Sequence, residues 1–248
     1  MTEHGEFRDP RLVEVYDAEC TWGPDDDLYV AVVQEERPRR LLDLGCGTGR
    51  LTLAIAALGV ADAVTGVDPA AASLAAARAK PGADAVTWIE GTSRDLPDGA
   101  FDHAFMTAHV AQFFATDEQW DAVLADLARA VVPGGGLAFE SRDPAAREWE
   151  RWNPVDSRRT IALPDGTAVT ITTEVTSVVG EVVSFTRTYA FADGSTATSE
   201  AALAFRDEEK VRASLARAGF AVDHVWGGWR REPVGAGDGE LVVLARRT

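Results

Sequence analysis

The sequence predicts an α/β protein: a doubly wound, mostly parallel sheet that carries an inserted antiparallel sheet late in the chain. Three observations lead there. The apolar run Leu41–Leu44 breaks into a turn with Gly45, Gly47 and Gly49, and the helical run Leu51–Leu58 follows at once. Short apolar strands then alternate with helical patterns as far as Glu140, the signature of parallel β-α-β units. Between Ser141 and Phe205 the pattern changes to extended runs separated by Asp165-Gly166, Gly180-Glu181 and Asp193-Gly194, which is hairpin punctuation.

The glycine turn is the centre of the chain. Glycines remove the Cβ atoms that would obstruct a tight strand-to-helix reversal, and the bare backbone and helix N-terminus there present N–H groups to a ligand. Spacing narrows the ligand. A dinucleotide fingerprint G-x-G-x-x-G counted from Gly45 and Gly47 would need its third glycine at position 50, where Arg50 stands. The pattern instead is Asp43-x-Gly45-x-Gly47-x-Gly49, which resembles motif I of the class I S-adenosylmethionine (SAM)-dependent methyltransferases. Val64–Asp68 reads as the next strand, and in that family its terminal carboxylate, here Asp68, holds the ribose hydroxyls. An acid at that place would equally suit NAD, so the glycine spacing alone discriminates.

Composition bounds the partners. A formal charge of −16 argues against a polyanionic partner such as DNA or RNA, which is bound through clustered Lys and Arg. No stretch reaches the roughly 20 apolar residues of a membrane span. The polar N-terminus has no apolar segment of the secretory kind, so a cytoplasmic location is expected. Cys20 and Cys46 lie far apart and form no C-x-x-C pair, and no His or acidic spacing suggests a metal.

Taken in order, Pro10–Glu36 reads as two helices broken at Trp22-Gly23-Pro24-Asp25, after a first few residues polar enough to be disordered. Pro69 opens an Ala-rich helix, Ala85–Gly91 is a third strand, and Phe101–Met106 is a fourth. The helix from Thr116 or Asp117 is closed by Pro133-Gly134-Gly135-Gly136 before a fifth strand, Leu137–Glu140. The insertion contains runs 158–163, 167–178, 182–192 and 196–205. In the third of these Val183, Phe185, Arg187, Tyr189 and Phe191 share one bulky face. A helix over 207–218 ends at Gly219, and strands follow over 220–226 and 240–245. That ending resembles the antiparallel sixth and seventh strands of the class I fold, so the resemblance implies a Rossmann-like seven-stranded sheet. It divides the chain into a helical cap with the SAM-binding core (1–144), an inserted antiparallel β lid (145–205) and a C-terminal completion of the core (206–248).

The resemblance also implies a cofactor set: Tyr16, Trp22, Asp43, Gly45, Gly47, Asp68, Pro69, Thr92, Ser93 and Met106. Tyr16 and Trp22 either contact cofactor or substrate, as aromatic residues of the N-terminal cap do in related enzymes, or pack the cap on the core. Family members commonly have Gly-Asp where this chain has Gly91-Thr92, which leaves Thr92 or Ser93 to bond the adenine. Methyl transfer from a sulfonium is an in-line displacement that needs alignment first and a base only where the nucleophile must lose a proton. Of the four histidines, only His109 follows the carboxyl end of the fourth strand, where ligands of open α/β sheets bind. It is the candidate base, or else a loop hydrogen-bonding residue. Arg50 meets a carboxylate of cofactor or substrate, or is a solvated helix-end charge. Trp149 and Trp152 wall the acceptor site or anchor the inserted sheet. The expected activity is methylation of O, N or C on a small molecule, with a homodimer through the inserted sheet as a further expectation. The alternatives are a nicotinamide-dependent oxidoreductase and a non-catalytic SAM-binding protein.

Overall fold

Two sheets organise the chain, which a computed structural model describes from residue 2 to residue 248, with side chains from residue 4 onward. β1 (Thr2–Glu3), α1 (Gly5–Arg8), α2 (Pro10–Glu19) and α3 (Pro24–Glu36) precede the alternation. This runs β2 (Arg40–Leu44), α4 (Arg50–Leu58), β3 (Ala63–Asp68), α5 (Ala71–Arg78), β4 (Val86–Glu90), β5 (Phe101–Met106), α6 (Asp117–Ala130) and β6 (Val131–Arg142). The insertion supplies β7 (Arg159–Ala162), β8 (Ala168–Val179), β9 (Val182–Phe191) and β10 (Thr196–Ala204), and α7 (Glu208–Arg217), β11 (Phe220–Trp226) and β12 (Glu240–Arg247) finish the chain.

The larger sheet has the order β11-β12-β6-β5-β2-β3-β4. Only β12 runs against its neighbours. From β2 the chain winds outward through β3 to β4, then returns to β5 on the other side of β2. The winding therefore reverses between β2 and β5, and a crevice opens at their carboxyl ends. That topology alone brings the Gly45–Gly49 turn and the segment around His109 to one place.

The core forms on both faces of this sheet. α6 starts with a capping box in which the Thr116 hydroxyl accepts the Gln119 N–H at 3.3 Å and the Gln119 side chain accepts the Thr116 N–H at 3.2 Å. Its buried stripe, Trp120, Val123, Leu124 and Leu127, packs on one face with Phe139 and Leu215. On the other face α3 and α4 contribute Tyr29, Val32, Val33, Leu51 and Ile55.

The second sheet has the order β1-β10-β9-β8-β7. Its hairpins fall where the Asp-Gly and Gly-Glu pairs predict. Val183, Phe185, Tyr189 and Phe191 are buried as the alternation requires, against Leu12 and Val15 of α2 at one end and Phe205 at the other.

Three local expectations are corrected. β6 begins at Val131, not at Leu137, because the Pro133–Gly135 stretch bulges out of a continuing strand: Val131 faces Phe101 and Gly136 faces His103. A Cβ on Gly136 would lie 2.2 Å from the His103 ring, so only glycine fits there. α5 begins two residues after Pro69, because the Asp68 carboxylate accepts the Ala70 N–H at 2.8 Å and holds Ala70 extended. The N-terminal residues expected to be disordered add a parallel strand to β10, with Thr2 opposite Ser199.

Candidate active site

The glycine turn is positioned by the strand beside it. Gly45 and Cys46 N–H groups donate to the Val67 carbonyl at 2.7 and 3.2 Å, and the Gly47 N–H donates to Asp68 Oδ2 at 2.8 Å. The three glycines have different reasons. A Cβ on Gly45 would stand 2.5 Å from Val110, and one on Gly49 would stand 2.5 Å from the Trp88 ring. Both therefore serve close packing within the chain. A Cβ on Gly47 would meet nothing within 4 Å, so this glycine alone leaves open space beside bare backbone. Below the turn, Asp43 is buried with Oδ2 accepting the Thr52 hydroxyl at 2.5 Å, while its Oδ1 has no hydrogen-bond partner. Burial pushes this carboxyl up to about 6.

Past the carboxyl end of β5 the backbone turns through two consecutive left-handed residues, Ala108 (φ 54°) and His109 (φ 63°). Glu140 holds the turn: its Oε1 accepts the His109 N–H at 2.6 Å, and its Oε2 accepts the Tyr29 hydroxyl. The His109 ring lies against Trp229, and its Nε2 is 3.0 and 3.1 Å from the two oxygens of Glu240 at the start of β12. Nδ1 is the ring nitrogen with no partner among the described residues. Burial sets the protonation here, pushing Glu140 up to about 7, Glu240 up to about 8 and His109 down to about 4. One dissociable proton is thus shared between His109 and Glu240 at neutral pH.

A cavity of about 930 Å³ opens beside His109, bounded by the N-terminal helices and by the second sheet. Phe7, Tyr16 and Cys20 form one wall, and Trp152, Phe185 and Arg187 another. Asp17 ties the N-terminal wall to the glycine turn, accepting the Thr48 hydroxyl at 2.6 Å and Lys80 Nζ at 2.7 Å.

Of the residues singled out from sequence, Tyr16 and His109 line the cavity, while Asp43, Gly45, Gly47 and Asp68 gather at the glycine turn. Pro69 is exposed beside them. Thr92 is exposed, with its N–H and hydroxyl both donating to Asp95 at the end of β4, and the Ser93 hydroxyl donates to Asp126 of α6 at 2.7 Å. Trp22 and Met106 are not brought to the site. Trp22 is 47% exposed and donates to Asp27, and Met106 is fully buried in the core packed on α6. Arg50 lines the cavity but is engaged by Asp26 and by the Thr21 carbonyl, which pins the start of α3. Trp149 and Trp152 both pack on Phe205 of the insertion, and Trp152 also faces the cavity. Sequence reasoning missed Tyr29, Glu140 and Glu240. Glu140 carried a signal, as an acid ending a buried strand; Glu240, far along the chain, carried none.

The arrangement defines a SAM-type α/β crevice, and comparison with known proteins agrees. A family model described as a methyltransferase domain matches residues 41–135. The cypemycin N-terminal methyltransferase of a Streptomyces species is 30% identical over 245 residues, spanning 96% of this chain and 97% of that protein. Among solved structures, the CcbJ methyltransferase from Streptomyces caelestis matches with a TM-score of 0.77 at 19% identity, over 100% of this chain and 98% of that one. A SAM-bound amino pentose methyltransferase from Micromonospora echinaspora matches with a TM-score of 0.70 at 24% identity, over 94% and 95%. The chain belongs to the class I SAM-dependent methyltransferases, and its cofactor is SAM. The nicotinamide-dependent and non-catalytic alternatives are set aside with that membership. Among the described residues no helix is long and apolar enough to cross a membrane, and no group of His, Cys, Asp or Glu is placed to hold a metal ion.

Proposed function

We propose that this enzyme methylates the nitrogen of a small-molecule amine held in the cavity beside His109. The observation that carries the reading is the His109–Glu240 pair, whose imidazole lines that cavity. The full-length relative is named for N-terminal methylation and one solved relative for an amino pentose, which supports nitrogen over oxygen or carbon.

The residues present fit the cofactor: open space over Gly47 and an unpartnered buried oxygen on Asp43 are what a bound group with an ammonium end would use. In this reading Gly45 and Gly47 offer backbone, Asp68 takes the ribose hydroxyls, and Pro69, Thr92 and Ser93 flank the base, with Tyr16 covering the ligand from the N-terminal wall. When bound, SAM supplies a methyl group on a positively charged sulfur, which an in-line nucleophile takes up.

The chain's own contribution is to orient the amine and move one proton. A primary amine arrives largely as its ammonium and attacks only after losing a proton. While the pair holds its proton, the Glu240 carboxyl donates to Nε2 and Nδ1 carries hydrogen. Once that proton is lost, Glu240 accepts the Nε2–H and the lone pair lies on Nδ1, able to take the acceptor's proton. Glu140, by fixing the His109 N–H, keeps the ring at this place.

The test is transfer of a labelled methyl group from SAM to a panel of primary amines and their alcohol counterparts. Label on amines, lost on His109→Ala substitution, is the expected outcome. Label on the alcohols alone would overturn the nitrogen assignment.

A further inference from the structure

The chain is strongly acidic, with a formal charge of −16, yet one wall of its acceptor cavity is built from arginines. Arg151, Arg158, Arg159 and Arg187, all supplied by the insertion, line the same space. Of these four, only Arg159 and Arg187 are ion-paired among the described residues. Arg159 and Arg187 share a single carboxylate, that of Glu19 at the end of α2: Arg187 reaches its two oxygens at 2.8 and 2.7 Å, and Arg159 Nε donates to it at 2.6 Å. Arg187 Nε is buried and has no partner. Arg151 and Arg158 make no ion pair or hydrogen bond through their side chains among the described residues.

The other acids on the cavity leave Arg151 and Arg158 without an ion pair. Glu148 is paired with Arg142 at 2.7 Å, and Asp25 lies 3.9 Å from Arg50. Asp156 accepts Asn153 Nδ2 at 2.7 Å, and Glu6 receives the Ser199 hydroxyl while its charge also acts on Arg187. Arg151 and Arg158 are exposed and unpaired, and Arg187 has a buried, unpartnered Nε, so an anion entering the cavity gains guanidinium donors that no other group holds. Guanidinium groups match carboxylate and phosphoryl oxygens in pairs, so the anion they suit is an oxyanion with several acceptor atoms.

We propose that this wall is an oxyanion subsite, and that the acceptor carries a carboxylate or phosphoryl group bound by Arg151, Arg158 and the Arg159–Arg187 pair while its nucleophile faces His109. The proposal rests on the cavity being the acceptor site, as read above, and it adds the chemical class: an amino acid-like or phosphorylated amine rather than a neutral one.

The experiment uses SAM-saturated protein, so that the cofactor's own carboxylate does not compete, and calorimetric titration with inorganic pyrophosphate and, separately, with succinate. Saturable one-to-one binding of at least one probe is expected. The double substitution Arg151→Gln with Arg158→Gln should weaken it at least tenfold and leave SAM affinity unchanged, since neither arginine holds another part of the chain. Binding of pyrophosphate alone assigns the phosphoryl group, and binding of succinate alone the carboxylate. No saturable binding of either, or equal binding by the double variant, overturns the subsite. The amine assignment fails separately, through the labelled panel: anion binding to an enzyme that methylates alcohols would keep the subsite and remove the amine.

Discussion

At His109, the proposed base, the backbone itself is strained. Two consecutive non-glycine residues with positive φ cost on the order of 1–3 kcal/mol each, and such strain persists only where neighbours over-determine it. Here Glu140 supplies that hold through the His109 N–H, and Glu240 through the ring. The sign of the pH dependence follows from burial, which raises Glu240 to about 8 and lowers His109 to about 4. The pair loses its shared proton as pH rises through about 8, so turnover of an amine acceptor should climb across that region and level off above it. Glu240→Gln removes the carboxyl that keeps the proton and leaves an imidazole already neutral well below pH 7. The pH limb should therefore move down by more than one unit, or give way to the acceptor's own ionisation, with a plateau lower by roughly 10²-fold. Measuring kcat from pH 6 to 10 for both proteins checks this; an unmoved limb at equal height would assign Glu240 a purely structural role. His109 could be picked out from sequence because it follows a strand end. Its partner could not, because nothing in the chain order says that β12 lies beside β6 with Glu240 opposite Arg142.

The elements themselves were largely legible, since periodicity and punctuation reflect local physics. The Asp-Gly and Gly-Glu pairs mark three turns of the inserted sheet because glycine accepts the positive φ each turn demands, as at Gly166, Gly180 and Gly194. Where reading failed, a tertiary contact had decided. Pro133–Gly135 would stop most strands, but β6 continues through the bulge because the His103 ring needs the space over Gly136. The motif glycines show the same limit: spacing does not separate Gly45 and Gly49, whose missing Cβ atoms admit Val110 and Trp88, from Gly47, which has open space beside it. α6 gives the cleanest test of a local cause. Thr116→Ala removes one half of the capping box, and stability should fall by about 1 kcal/mol. In a chain of this size that lowers Tm by roughly 2–4 °C. Thermal unfolding followed by circular dichroism reads the shift, and an unchanged Tm would mean that the Trp120 face alone fixes the helix start.

Across the whole molecule, the N-terminal segment is what joins glycine turn, cavity and second sheet. Asp17 reaches Thr48 and Lys80 at the core, Glu19 reaches Arg159 and Arg187 on the second sheet, and β1 extends that sheet beside β10. Sequence showed two helices there but not what they touch, because long-range ion pairs leave no periodic trace. The overall scheme, a switched parallel sheet with its ligand crevice between β2 and β5, was legible from one glycine turn and the strand ending in Asp68. That scheme requires the glycine turn to hold the cofactor. Calorimetric titration with SAM tests it most directly, on the unaltered chain, on Asp68→Ala and on Trp22→Ala. The predicted result is one-to-one binding that Asp68→Ala weakens at least tenfold, about 1.4 kcal/mol, while Trp22→Ala, which removes an exposed side chain bonded to Asp27, leaves it unchanged. Equal affinity in the folded Asp68→Ala protein would contradict the assignment of the turn as the SAM site.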